Sequence, residues 1–333
     1  MYLVIGGNGL VGSYLITELL RQGLPTKCTL RTEQAKQDLL DTILIIGGLE
    51  MKERMHLLEF AFGDIRDFLF LEDLMDKNTI VLHTAATVSF DPRDKQMLFD
   101  VNIDGTTNVV NACLYKNVKK LVYTSSVAAI GSAEGSQAID ENTNWQEDKK
   151  NTNYALSKRF AEYEVWRGIE EGLNGCIVNP TIILGYTKNG NSSSSIFHNI
   201  KNGFPFYSNG INGFVGAVDV AKIIVRIANS DIAEQRFVLN AGNTSYKELF
   251  KQIAKQLGKR EPRIEVKHWM KWITLPIAWL WSKISGKPPF VTKEVFGSSM
   301  AVKRYSAEKV KSALGYKFTP IPQVVDEVTS LMS

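Results

Sequence analysis

The stretch Tyr154-Ala155-Leu156-Ser157-Lys158 sets a phenol and a primary amine four residues apart in a segment with helical spacing, which brings both side chains to one face. A phenol near pKa 10 is a poor proton donor or acceptor at neutral pH unless a cation stabilises its phenolate, and Lys158 is placed to be that cation. Proton transfer to a substrate oxygen also needs a hydroxyl to hold that oxygen. Tyr123-Thr124-Ser125-Ser126 ends an apolar run and offers two serines, and the register between Ser125 and Ser126 is open by one. Taken alone, a Tyr-x-x-x-Lys pair is also a common decoration of exposed helices; its place downstream of a glycine-rich turn gives it weight.

That turn is Gly6-Gly7-Asn8-Gly9-Leu10-Val11-Gly12, between a short apolar run and a helix-compatible segment. Gly6, Gly9 and Gly12 suit a tight turn, close backbone approach to a pyrophosphate and helix-on-strand packing, with the first helical residues Leu10 and Val11 presenting amides to the anion. About twenty residues further on, an acidic residue at the end of the second strand would hold the ribose hydroxyls of NAD(H), whereas an arginine accommodates the 2′-phosphate of NADP(H). Arg31 stands there, with Lys36 beyond it, so NADP(H) is favoured over NAD(H); Glu33 keeps NAD(H) open, and a solvated loop arginine is the plainer reading of Arg31. Asp64 and Ile65, after the third strand, are candidates for the adenine edge, and Asp64 reads equally as a turn former.

Elements that could position these groups alternate along the chain. Strands are expected at Met1–Ile5, Lys27–Leu30, Leu58–Phe62, Ile80–His83, Lys120–Thr124 and Gly175–Asn179. Helices are expected at Leu10–Leu20, Leu69–Lys77, Asn102–Tyr115 and Asn153–Glu171. Such alternation is the mark of an α/β fold, a Rossmann doubly wound parallel sheet, here with a smaller C-terminal substrate domain. Residues 1–178 are expected to form the dinucleotide-binding domain, with 212–240 returning to it, and 179–211 and 241–333 the substrate domain. Gly185–Gly213, rich in Gly, Asn and Ser, reads as a long loop carrying one helix. Pro262, Pro276, Pro288 and Pro289 are expected to break the remainder.

Composition narrows the class. The 333 residues allow roughly two domains of ~150, and 44% hydrophobic with 22% charged residues excludes disorder and a disulfide-stapled miniature. A net charge of +4 is far from the concentrated basic footprint of a nucleic-acid binder, and charge alone names no partner; the one expected is the small-molecule substrate of an enzyme. Cys28, Cys113 and Cys176 are widely spaced without a metal-type cluster, which reads as three core thiols in a reducing compartment. The N-terminal glycine motif leaves no room for a signal peptide, and a cytoplasmic protein is expected. The segment Trp269–Ile284, with four tryptophans, is too short to span a bilayer; packing of the small domain onto the sheet is its expected role. A substrate-pocket wall and a membrane-surface contact stand behind that reading.

Taken in order, these pieces resemble the extended, epimerase-like branch of the short-chain dehydrogenase/reductases over nearly the whole chain, with the dihydroflavonol-reductase-like group nearest. Beyond the motifs above, the resemblance rests on His83-Thr84-Ala85-Ala86, Asn102-Ile103-Asp104-Gly105-Thr106, Asn179-Pro180-Thr181 and Phe214-Val215-Gly216-Ala217-Val218-Asp219-Val220-Ala221. It implies that Tyr154 is the general acid–base, that Lys158 lowers its pKa and binds nicotinamide-ribose hydroxyls, and that Ser126 polarises the carbonyl. It further implies that Thr84, Ala85 and Ala86 line the cofactor ribose, that Pro180 and Thr181 pass the nicotinamide, and that Asn102 holds a proton-relay water, a helix N-cap being the equal alternative. His83 is expected to be a packed strand-end residue. The implied activity is NADP(H)-dependent reduction of an aldehyde or ketone. Nucleotide-sugar epimerisation, 3β-hydroxysteroid oxidation and non-catalytic dinucleotide binding are the alternatives. Relatives commonly dimerise through helices like those beginning near Asn102 and Asn153.

Overall fold

The computed structural model describes residues 1–132, 137–146, 151–188, 192–285 and 292–332. Its strands are β1 (Tyr2–Ile5), β2 (Thr26–Leu30), β3 (Leu58–Phe62), β4 (Ile80–His83), β5 (Lys120–Thr124), β6 (Gly175–Pro180), β7 (Ile182–Leu184), β8 (Phe206–Tyr207), β9 (Ile211–Gly216), β10 (Gln235–Leu239), β11 (Gly242–Ser245) and β12 (Ile264–Glu265). Seven of them make one parallel sheet in the order β10-β6-β5-β4-β1-β2-β3. The fold is the Rossmann doubly wound α/β class. Chain order reverses between β1 and β4, and the crevice at the carboxyl ends of these two strands is where open sheets of this kind take ligands.

β1 shows why the sheet is covered on both sides. Tyr2 and Val4 belong to one apolar cluster with Leu15, Ile16 and Leu19 of the helix Leu10–Arg21 and with Val220, Ile224 and Ile227 of the helix Ala217–Ala228. Leu3 and Ile5 point the other way, into Val109, Val110 and Cys113 of the helix Gly105–Tyr115 and Ala161 and Val165 of the helix Asn153–Glu170. Successive strand residues alternate faces, so an all-apolar run must be buried twice. The three cysteines are buried and unpaired, and burial pushes the Cys28 thiol up to about 12, well out of reach of thiolate chemistry at neutral pH.

After β6 the chain divides its work. β10 returns to the central sheet beside β6, whereas β7, β9 and β11 form a separate small sheet and β8 pairs with β12. A further core gathers Phe197, Phe214, Leu249, Ile253, Val324, Val325 and Val328. The segment 185–213 is more ordered than a long loop, with the helix Ser195–Lys201, β8 and the start of β9; residues 189–191 lie outside the described residues.

Three expectations are corrected. Asn102 caps no helix: one helical run extends from Lys95 to Tyr115, and Asn102 lies in a π-helical turn, Asp100–Asp104, in its middle. Pro276 does not end the helix, because Lys271–Ser285 runs through it with the proline on the exposed side, at the cost of the amide that would otherwise bond the Trp272 carbonyl. Pro288 and Pro289 lie outside the described residues. Last, the tryptophan-rich segment does not pack its aromatic rings onto the sheet. Ala278 and Ser282 face inward, while Trp272 is 75% exposed, Trp269 59%, Trp279 58% and Ile277 55%. Each large apolar side chain left outside forgoes about 1.5–3 kcal/mol of burial.

Candidate active site

The glycine turn joins β1 to the helix Leu10–Arg21 in a conformation that side chains would block. Gly6 has a φ of +93°, and a Cβ there would sit 2.6 Å from the Ala85 backbone; a Cβ on Gly12 would lie 2.2 Å from the Gly6 carbonyl oxygen. Gly9 differs: it is exposed, and a Cβ on it would meet nothing nearer than 3.5 Å. As N-cap residue without a side chain, Gly9 leaves the first-turn amides of Leu10, Val11 and Gly12 unsatisfied by any cap. The turn is thus closed against the sheet and open outward, the cradle a pyrophosphate requires. Thr84, just past β4, donates its hydroxyl to the Ile5 and Gly6 carbonyls and so ties the two sides of the crevice together, with Ala85 half-buried and Ala86 exposed along its rim.

At the far side of the turn, Arg31 follows β2 directly and is exposed; among the described residues it forms no salt bridge. Asp64 is held by Arg66 through three hydrogen bonds, the amide and Nε to Oδ1 at 2.9 and 3.0 Å and a terminal nitrogen to Oδ2 at 2.7 Å, and this guanidinium first, with Arg31 contributing, holds its carboxyl below the usual range. Arg66 was not anticipated. Glu33 pairs with Lys36 at 3.5 Å. The Ile65 side chain is buried against Gly105 and is unavailable to a ligand except through its backbone.

Ser126, two residues past β5, and Tyr154, in the first turn of the helix Asn153–Glu170, meet at the carboxyl edge of the sheet, where the Ser126 hydroxyl acts on the phenol. Ser126 is half-exposed and also accepts the Ala128 amide at 3.1 Å, whereas Ser125 is buried with a hydroxyl that meets no partner. Of the two serines, Ser126 is the one that reaches the phenol. Burial pushes the Tyr154 phenol above its ordinary value, and the nearby Ser126 hydroxyl works against that. The Phe90 ring stands edge-on to the Tyr154 ring at 5.9 Å.

Lys158 is 2% exposed and donates to the Tyr123 hydroxyl at 3.2 Å and to the Thr124 carbonyl at 3.0 Å. Its contact is therefore with Tyr123, and among the described residues no hydrogen bond links it to the Tyr154 phenol. Burial lowers Lys158 to about 8, against which Glu162, one turn further along the helix, pulls upward. Tyr123 faces Thr106, whose hydroxyl lies 3.0 Å from His83 Nε2. His83 is wholly buried, as expected of a packed strand-end residue, and burial lowers it to about 3, so its ring is neutral.

Two buried residues do structural work that spacing did not disclose. Glu162, fully buried, accepts from Asn179 Nδ2, and the same amide donates to the Ser126 carbonyl at 3.0 Å, so the carboxylate steadies the serine loop through Asn179. Arg236 on β10 approaches the other Glu162 oxygen at 3.7 Å. The available signal was an acid on the apolar stripe of the helix Asn153–Glu170. Asn102, 1% exposed, exchanges two hydrogen bonds with the Thr87 backbone and donates to Ser157 Oγ at 2.9 Å, clamping the β4 loop to the helix that carries Tyr154 and Lys158. Pro180 ends β6, and the Thr181 hydroxyl is committed to the Leu239 carbonyl at 3.0 Å.

The model of the NAD dependent epimerase/dehydratase family matches residues 2–242. This chain belongs to that family. Members are NAD(P)-dependent enzymes that act on CH–OH and C=O groups as reductases, epimerases or dehydratases, and this epimerase/dehydratase-family protein is such an enzyme. It is 26% identical to a putative dihydroflavonol 4-reductase of Synechocystis sp., over 97% of this chain and 92% of the relative. It is 30% identical to a (2S)-flavan-3-ol-forming anthocyanidin reductase of Vitis vinifera, over 79% and 81%. The UDP-glucose 4-epimerase of Thermus thermophilus, solved in complex with NAD, shares the fold with a TM-score of 0.75 at 19% identity, over 99% of this chain and 98% of that one.

Proposed function

We propose that this protein is an NADP(H)-dependent oxidoreductase that reduces an aldehyde or ketone, and reversibly oxidises the alcohol, through Ser126, Tyr154 and Lys158. The observation that carries this reading is the meeting of the Ser126 and Tyr154 side chains at the carboxyl edge of the sheet, with Lys158 one turn deeper. Two hydroxyls converge where a carbonyl oxygen would be held, one to polarise it and one to give it a proton. When bound, the nicotinamide supplies the hydride. Lys158, oriented by Tyr123 and Thr124, carries the positive charge that favours the phenolate and reaches toward the ribose hydroxyls. Asn102 positions the helix rather than the substrate.

The choice of NADP(H) is supported by the charges beyond β2. Arg66 neutralises Asp64 and Lys36 engages Glu33, which leaves the Arg31 guanidinium for a 2′-phosphate. Relatives named as reductases support reduction over sugar epimerisation. The same reading includes a homodimer through the helical run that carries Asn102 and the helix Asn153–Glu170, the latter leaving Phe160 and Tyr163 exposed, and a cytoplasmic location.

The test is cofactor absorbance against a panel of aldehydes, ketones and sugar nucleotides. Net NADPH oxidation is expected with a carbonyl compound; sugar-nucleotide conversion without net oxidation would replace the reductase reading by the epimerase one. Tyr154→Phe is expected to lose about 100- to 10,000-fold in turnover while still binding NADPH. Arg31→Asp should shift the preference away from NADPH roughly tenfold or more, and an unchanged ratio would remove Arg31 from the account.

A further inference from the structure

The helix Lys271–Ser285 is amphipathic in the wrong sense for a core element. The side turned to the protein is mostly small or polar, with Ala278 and Ser282 buried and Thr274 and Leu275 half-buried, and the side turned outward carries Trp272, Ile273, Ile277, Trp279, Leu280 and Trp281, all more than two-fifths exposed. Trp269, just before it, is exposed as well, so four of the six tryptophans of the chain lie on this one surface. The charge around them is of one sign. Between Glu265 and Glu294 the chain has five lysines and no acidic residue, and two of those lysines lie over indoles, Lys271 5.0 Å from the Trp272 ring and Lys283 4.4 Å from the Trp279 ring.

We infer that this face docks on the interfacial zone of a bilayer containing anionic lipid. Indole rings favour the headgroup boundary, where an apolar body and a polar N–H are both satisfied, and lysines flanking an apolar helix face reach phosphates while their stems stay in the apolar layer. A second copy of the chain would bring these lysines against one another, with no acidic residue between Glu265 and Glu294 to pair them, so charge favours lipid over self-association. Among the described residues no helix is long and apolar enough to cross a membrane, which makes the contact peripheral. Docking would also set the active-site mouth at the lipid boundary. Arg93, three residues beyond the Phe90 that flanks Tyr154, bonds Ser282 on the inner side of this helix at 3.3 Å.

The experiment is flotation of the full-length protein with vesicles of phosphatidylcholine alone and of phosphatidylcholine with about one quarter phosphatidylglycerol. Binding to the anionic vesicles is expected, with a blue shift of tryptophan emission and its quenching by brominated lipid. Trp272→Ser with Trp279→Ser should lower partitioning at least about tenfold, and Lys271→Gln with Lys283→Gln should remove most of the anionic preference while NADPH binding is kept. Brominated-lipid quenching on the unaltered protein decides the matter should a variant fail to fold. Absence of the unaltered protein from anionic vesicles at low salt overturns the inference, as does equal flotation of the tryptophan variant. A dimer that the tryptophan variant splits into monomers also overturns it, in favour of a second copy.

Discussion

Glu162 holds no surface, yet its carboxylate touches three parts of the site: it pulls Lys158 upward in pKa, bonds Asn179 and faces Arg236. Lys158 sits at about 8 because burial outweighs that pull. If turnover needs the charged amine, activity falls as pH rises through this value. Glu162→Gln keeps an oxygen for Asn179 but removes the charge, so the alkaline limb of kcat/KM should move down by roughly one pH unit. A merely structural role for Glu162 would lower stability and leave that limb in place, which a pH profile measured alongside NADPH affinity separates.

At the scale of elements, the crevice is made by turns that admit no side chain and by one clamp. Gly12→Ala would force a methyl to within 2.2 Å of a backbone oxygen, so the turn must open; a destabilisation of about 1–3 kcal/mol is expected. NADPH affinity should drop with it, read by titration and by thermal unfolding with and without cofactor. The π-helical turn at Asp100–Asp104 matters for a similar reason. It widens the helical run where Asn102 must reach both Thr87 and Ser157, a demand no regular heptad pattern announces.

Over the whole molecule, the C-terminal part is fastened to the sheet domain by Asp219, buried on the helix Ala217–Ala228. It accepts from the Tyr316 hydroxyl at 2.8 Å and from the amide and hydroxyl of Thr319 at 2.9 and 3.0 Å. Asp219→Ala is expected to cost about 1.5–3 kcal/mol and to make the segment after Leu314 the first site of limited proteolysis. On the opposite border, Arg93 donates to Ser282 Oγ at 3.3 Å, and Glu294 lies beside Asn153, the first residue of the helix that carries Tyr154.

Much of this was legible in the residues. The glycine turn, the Tyr154–Lys158 pair and the strands from β1 to β6 depend on local spacing, where a period of two or of nearly four residues determines the element whatever surrounds it. Asn102 as an N-cap failed because its true partners, Thr87 and Ser157, are remote in the chain. The same holds for the choice of Ser126 over Ser125, for Lys158 against Tyr123, and for Arg66 and Glu162, each of which is set by a contact between elements. The tryptophan segment shows the limit most plainly. Sequence determines that the helix has a large apolar face and a small one, but only the tertiary structure decides which of them meets the protein, because either face packs when the partner surface fits it.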